Sequence, residues 1–201
     1  MGRPPWQGVP SFLWIPYLQA VILGVKTEID SVLSVVAPLG LAAAAPERPV
    51  LMIDGDPGGP PYPGDRSLAE LVEEGPRRRE LSPDSSGMAI LRNGGVSLDR
   101  AGTVVAALGQ GWPAVVIRVV DADLSTWPVI PVIPLLPGLL APGPGRAAVW
   151  QATSLGAGAP GPGPVLPPLT RGLLTGLLNM HFRPAGRWVR AWRRVWELPW
   201  E

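Results

Sequence analysis

The sequence predicts an α/β fold, a mostly parallel sheet with flanking helices, interrupted by irregular Pro/Gly-rich segments and ending in a C-terminal helix. Three observations carry this. Short runs of branched apolar residues at 20–25, 49–53, 88–91 and 114–120 read as buried strands. Helical patterns lie between them, the alternation expected of βαβ units and a parallel sheet. The 46% hydrophobic content of the 201 residues is enough for one core. A mixed α+β domain with an antiparallel sheet is the alternative.

Residues 1–19 are rich in Pro and Trp, lack periodicity and read as an irregular arm. After the first strand, Asp30-Ser31 offers an N-cap for a helix to about Ala45, weakened by Pro38 and Gly40. The strand at 49–53 ends in Asp54-Gly55-Asp56, and the Pro/Gly loop 57–64 follows. Residues 67–74 predict a short helix with Leu68, Leu71 and Val72 on one face, stopped by Gly75-Pro76. Residues 88–91 give a third strand, 99–108 a third helix and 114–120 (AVVIRVV) the next strand.

Pro128, Pro131, Pro134 and Pro137 recur every third residue, the repeat of a polyproline II helix. A central strand cannot spare their N–H groups. The segment is therefore expected to be an edge strand or an extended stretch that docks on a partner. From 141 to 168 the chain is a Pro/Gly/Ala-rich connection interrupted by residues 146–153. The expected division is an arm (1–19), an α/β domain (20–155), a linker (156–169) and an amphipathic helical segment (170–201).

Composition excludes several chemistries. With no cysteine there is no disulfide, thiolate nucleophile or Cys-based metal site. His181 is the only histidine, no carboxylate stands near it in sequence, and it reads as a structural or surface residue. No catalytic residue and no metal ligand is assigned. The net charge of +1 gives no global field, and Arg77-Arg78-Arg79 lacks the interleaved aromatics of a base-stacking surface, so there is no specific nucleic-acid signal. No apolar run reaches the roughly 18 residues of a spanning helix, which leads to a cytoplasmic reading.

Two segments, VILGVKTEIDSVL at 21–33 and VLMIDGDPGG at 50–59, resemble the MinD/ParA family of deviant Walker P-loop ATPases, in its CpaE-like, septum-site-determining branch. The resemblance implies a P-loop NTPase-like fold, with ATP and Mg²⁺ held between the first loop and the acidic pair. Lys26 takes the place of the family's signature lysine, and Asp54 and Asp56 match the acids after the second strand. These three are the candidate nucleotide-binding residues. A surface lysine and ordinary loop starts are the plainer readings.

The departures are physical. A phosphate loop needs glycines so that successive N–H groups converge on the phosphates. Here Glu28 and Asp30 stand in it. One like-charge contact at 4 Å costs roughly 4 kcal/mol at an effective dielectric of about 20. Arg118 stands about where a Walker B-type aspartate belongs, and Asp121 or Asp123 would substitute only with a shift of register. The expectation is a non-catalytic positioning or assembly adaptor with no cofactor. The alternatives are an ATPase of the same family, binding ATP and Mg²⁺ once a partner completes it, and a structural interaction protein of unrelated fold.

Residues 187–198 read RWVRAWRRVWEL, placing Trp188, Trp192, Val195 and Trp196 on one stripe of a helix. Arg187, Arg190, Arg193, Arg194 and Glu197 take the other faces. The stripe either docks on the domain's own surface or meets a membrane or protein partner through Trp188, Arg190, Trp192, Arg194 and Trp196. MinD-family members similarly carry a C-terminal amphipathic membrane helix, a match of type and position only. The partners so implied are a protein or a second copy, or peripheral contact with the inner membrane face.

Overall fold

The computed structural model describes residues 21–27, 31–75, 81–120, 126–138, 147–156, 158–179 and 186–200. The N-terminal arm, Glu28, Asp30, the arginine run at 77–79, Asp121, Asp123 and His181 lie outside them. In chain order the elements are β1 (Val21–Lys26), α1 (Ser31–Ala43), β2 (Val50–Asp54), α2 (Leu68–Glu74), β3 (Met88–Leu91), α3 (Leu98–Gly109) and β4 (Ala114–Val119). They continue as β5 (Val129–Pro134), β6 (Val149–Gln151), β7 (Val165–Leu166), α4 (Arg171–Leu178) and α5 (Arg187–Trp196). The strands form one sheet in the order β3-β2-β4-β1-β5-β6-β7. Every pairing is parallel, which settles the fold as α/β and is consistent with a P-loop NTPase-like arrangement.

β2 and β4 are buried at every position because helices cover both faces of the sheet. The period of two divides their side chains. Val50, Met52, Ala114 and Val116 join α1, α4 and α5 in one core. Leu51, Ile53, Val115 and Ile117 join α2 and α3 in the other. Ser67 starts α2 with a capping box: its Oγ accepts from Glu70 N at 3.2 Å, and the Glu70 carboxylate accepts from Ser67 N at 2.7 Å.

α1 runs unbroken through Pro38. Its apolar surface is almost wholly buried, and that burial outweighs the lost N–H. Gly40 marks a close approach, since a Cβ there would collide with the rings of both Trp188 and Trp192. Side chains satisfy the helix's last carbonyls: Trp196 Nε1 donates to Leu41 O at 3.0 Å and Arg48 Nη2 to Ala43 O at 2.7 Å.

Three expectations need correction. The proline-rich segment is neither an edge strand nor a free docking segment, because β5 lies between β1 and β6. It does so by stagger. β1 pairs with residues 129–131 and β6 with residues 132–134. Pro128 O accepts from Gly24 N, so the even-numbered backbone groups face β1, and Leu135 N donating to Gln151 O turns the odd-numbered ones toward β6. The missing donor of Pro134 thus faces β1 beyond its last paired residue. That of Pro131 faces β6 one residue before its pairing begins.

The second correction concerns the expected linker at 156–169, which contains β7, a strand of the same sheet. The third concerns the tail. Of its two readings, the described helices follow the one in which the stripe docks on the domain itself: α4 and α5 close the core over α1. Trp188 and Trp192 are 2% and 0% exposed and meet edge-to-face at 5.6 Å. Trp188 Nε1 donates to Gln151 Oε1 at 2.8 Å. These two tryptophans are therefore not available to a membrane or a partner, since the domain itself consumes their apolar surface. No described helix is long and apolar enough to cross a membrane.

Removing one of these rings tests that role. Trp192→Ala should lower the unfolding free energy by about 3–5 kcal/mol in a denaturant titration, the range for a fully buried aromatic. A loss below about 1 kcal/mol would make α5 peripheral to the fold.

Candidate functional site at the carboxyl edge of the sheet

The chain leaves β2 toward β3 and leaves β4 toward β5, in opposite directions along the sheet. Their carboxyl ends therefore flank a topological switch point, the place where open α/β sheets bind ligands. Asp54 ends β2, and Arg118 lies directly opposite it in register on β4. Both are buried, at 0% and 2% exposure.

The Arg118 guanidinium fills the crevice. Nη2 meets Asp56 Oδ2 at 2.6 Å and Ser34 Oγ at 3.3 Å. Nη1 donates to Pro60 O at 2.9 Å and lies 3.5 Å from Asp54 Oδ1. The loop after β2 closes over this group. Asp56 Oδ1 accepts from Gly58 N at 3.0 Å and Gly59 N at 2.8 Å, an Asx turn that aims the other carboxylate oxygen at Arg118. Gly55 and Gly59 are needed for the close approach: a Cβ at either would overlap Arg118 O or the Asp56–Arg118 pair. Tyr62 seals the loop, with its ring 5.6 Å from the guanidinium carbon and its hydroxyl donating to Val35 O at 2.6 Å.

Asn93 braces the same edge. Its amide donates to Asp54 O at 3.1 Å and Val96 O at 2.9 Å, and its oxygen accepts from Gly95 N and Val96 N. Two buried atoms of the cluster lack a hydrogen bond, Asp54 Oδ2 and Arg118 Nε. Burial pushes the Asp54 carboxyl up to about 6, against the pull of the Asp56 N–H and the Arg118 charge; the Asp56 carboxylate adds to the rise. Burial likewise raises the Tyr62 phenol above its ordinary value.

Of the three residues the sequence singles out, the structure unites Asp54 and Asp56 through Arg118. Lys26 ends β1, opposite Val119 on the other side of β4 from Asp54. Two strand spacings, roughly 10 Å, separate the backbones. Arg118 enters the sequence argument only as a misplaced residue, yet it is the centre of the site. Ser34, Tyr62 and Asn93 carry no signal in sequence beyond Tyr62 being the one aromatic in the loop. Among the described residues, no group of three or more His, Cys, Asp or Glu side chains is placed to hold a metal ion.

On α5 the stripe and the charges part company. Trp188 and Trp192 face the core and Trp196 is half-buried, while Arg187, Arg190, Arg193 and Arg194 are exposed. Chemically, the described residues of the edge offer one fixed guanidinium, one largely buried carboxylate and one fully buried carboxyl. Compared with protein-family models the chain matches none, and no curated protein matches it.

The raised carboxyl has a signed consequence. A folded value near 6 above an ordinary 3.8 means that the folded state binds the proton more tightly. That contribution to stability is complete below about pH 3.8 and is lost as pH rises through 6. It amounts to on the order of 2–3 kcal/mol. Unfolding free energies of wild type and Asp54→Asn, measured across pH 4–7, should show wild type losing ground to the variant over that window. A constant difference would remove the perturbed carboxyl from the account.

Proposed function

We propose that the protein is a non-catalytic positioning or assembly adaptor, built on an α/β frame of the MinD/ParA kind and no longer working as an ATPase. One observation carries the reading: the switch-point crevice is filled by Arg118, ion-paired to both Asp54 and Asp56. Those carboxylates are the ones the resemblance would give to Mg²⁺ and nucleotide. A guanidinium among them competes with a metal ion for the same oxygens and, being tethered, is never diluted away.

Two further facts support it. The connection between β1 and α1, residues 27–30, contains no glycine and two acids. The contact surface of such an adaptor is then the arginine face of α5, where Arg187, Arg190, Arg193 and Arg194 stand in solvent and, among the described residues, pair with no carboxylate. Acidic protein surfaces suit it better than lipid, because Trp188 and Trp192, two of the three tryptophans that would insert, are in the core.

Calorimetry with Mg·ATP and Mg·ADP tests the central claim. No binding tighter than roughly millimolar is expected. Micromolar binding to the wild type, abolished by Asp54→Ala, would overturn it and restore the ATPase reading.

A further inference from the structure

Asn93-Gly94 pairs a side-chain amide with the least hindered of backbone nitrogens. Glycine has no Cβ to block that nitrogen, and it lets the chain adopt the turn that brings it onto the asparagine Cγ. Here the fold forces both residues. The Asn93 side chain fills all four of its hydrogen-bonding positions: Nδ2 donates to Asp54 O at 3.1 Å and Val96 O at 2.9 Å, and Oδ1 accepts from Gly95 N at 2.7 Å and Val96 N at 2.8 Å. Gly94 has a φ of +80°, and a Cβ on it would lie 2.8 Å from the Ser67 side chain. The bonds that demand this pair also hold it still. Ring closure needs the carboxamide to leave its four partners and the Asn93–Gly94 peptide to rotate. Yet Asn93 is 4% exposed, and its own carbonyl accepts from Ala69 N at 3.0 Å, in the first turn of α2.

We infer that Asn93 is a site of covalent self-modification which the fold keeps latched, and that opening this edge releases it to deamidate. The Gly94 nitrogen gives its proton to solvent and forms a bond to Asn93 Cγ. The Cγ–Nδ2 bond breaks, and the amide nitrogen takes up a proton from water and leaves as ammonia. Water then opens the resulting succinimide at one of its two carbonyls, leaving aspartate or isoaspartate at position 93. Neither product can close the latch again. An aspartate oxygen in place of Nδ2 faces Asp54 O and Val96 O as acceptor against acceptor, in a site shut off from water. Isoaspartate also moves the Cβ methylene into the main chain, which displaces the carbonyl that Ala69 N holds. Asn93 ties the end of β2 to the starts of α2 and α3, so its conversion turns a reversible opening into a permanent one.

The test uses the full-length wild-type chain, held in mildly alkaline buffer either folded or unfolded in urea. Trypsin then releases residues 93–100 between Arg92 and Arg100, and mass spectrometry reads the exchange of amide for acid at Asn93. Digestion in water labelled with heavy oxygen marks any conversion that occurs during handling. Conversion of Asn93 should be at least about tenfold slower in the folded protein than in urea. Asn179, the chain's other asparagine, is exposed but precedes Met180, so in urea it should convert more slowly than Asn93. On dilution from urea, converted chains should be depleted from the folded fraction isolated by size exclusion. Equal rates in folded and unfolded protein would remove the latch. Conversion of Asn93 in urea no faster than that of Asn179 would remove the site. Converted chains equally abundant in the folded and unfolded fractions would also overturn the inference, as would an Asn93→Asp variant that melts at the wild-type temperature. That variant is expected to melt several degrees lower or to stay unfolded.

Discussion

A guanidinium brings five N–H donors and a charge into the interior, so burying Arg118 obliges the chain to bring acceptors to it. Much of the carboxyl edge follows from that one obligation. Asp54 can sit at the buried end of β2 because Arg118 lies across from it in register. Asp56 is turned inward by its Asx turn, Pro60 contributes a carbonyl, and the loop must carry glycines at 55 and 59 to come close enough. Tyr62 then covers the pair and ties the loop to α1 at Val35. Removing one member of a buried charge pair typically costs about 3–5 kcal/mol, chiefly because the other is left uncompensated. The cluster is thus a constraint on the path of the loop more than a surplus of stability.

The same face of the sheet is closed, away from the carboxyl edge, by a different kind of bond between sequence and fold. α1 is apolar around nearly its whole circumference, so it needs cover on the side away from the strands. α5 supplies that cover with Trp188, Trp192 and Val195, and Gly40 gives the indole rings room. Gln151 at the end of β6 receives the Trp188 N–H, while Leu41 receives that of Trp196. The sheet edge, the buried helix and the C-terminal helix are therefore locked as one unit.

How much of this is legible in the sequence depends on the range of the interaction. Strands read from branched apolar runs fall within one or two residues of their observed positions, since β2 and β4 are buried on both faces and need no partner to be recognised. The capped helix α2 is legible for the same reason, its signal being local. β5 and β7 are not. Their short pairings depend on a stagger between neighbours that only the folded sheet defines, and proline argues against them unless that stagger is known. The Trp stripe is plainly amphipathic in sequence, but the pattern is the same whether the apolar face meets lipid or α1. At the edge, Asp54 and Asp56 stand out locally. Their partner Arg118 lies 64 residues from Asp54, and no periodicity links them.

The same geometry bears on what kind of function an edge like this can support. A ligand shifts a conformational equilibrium only by its differential affinity for two states, and it does so in proportion to its concentration. A nucleotide switch works because its cation and phosphates arrive and leave. Arg118 does neither: it is covalently held at the carboxylates and present at one fixed stoichiometry. On the proposed reading, an edge completed in this way has no concentration to sense and no product to release. What remains variable is the exterior, above all the four arginines of α5, which project from a helix whose other side is fixed by two buried indoles. Charges on a rigid frame lose less entropy on meeting an acidic partner than charges on a loose tail would. On the proposed reading, a sealed interior and a preorganised cationic face suit a protein that holds something in place.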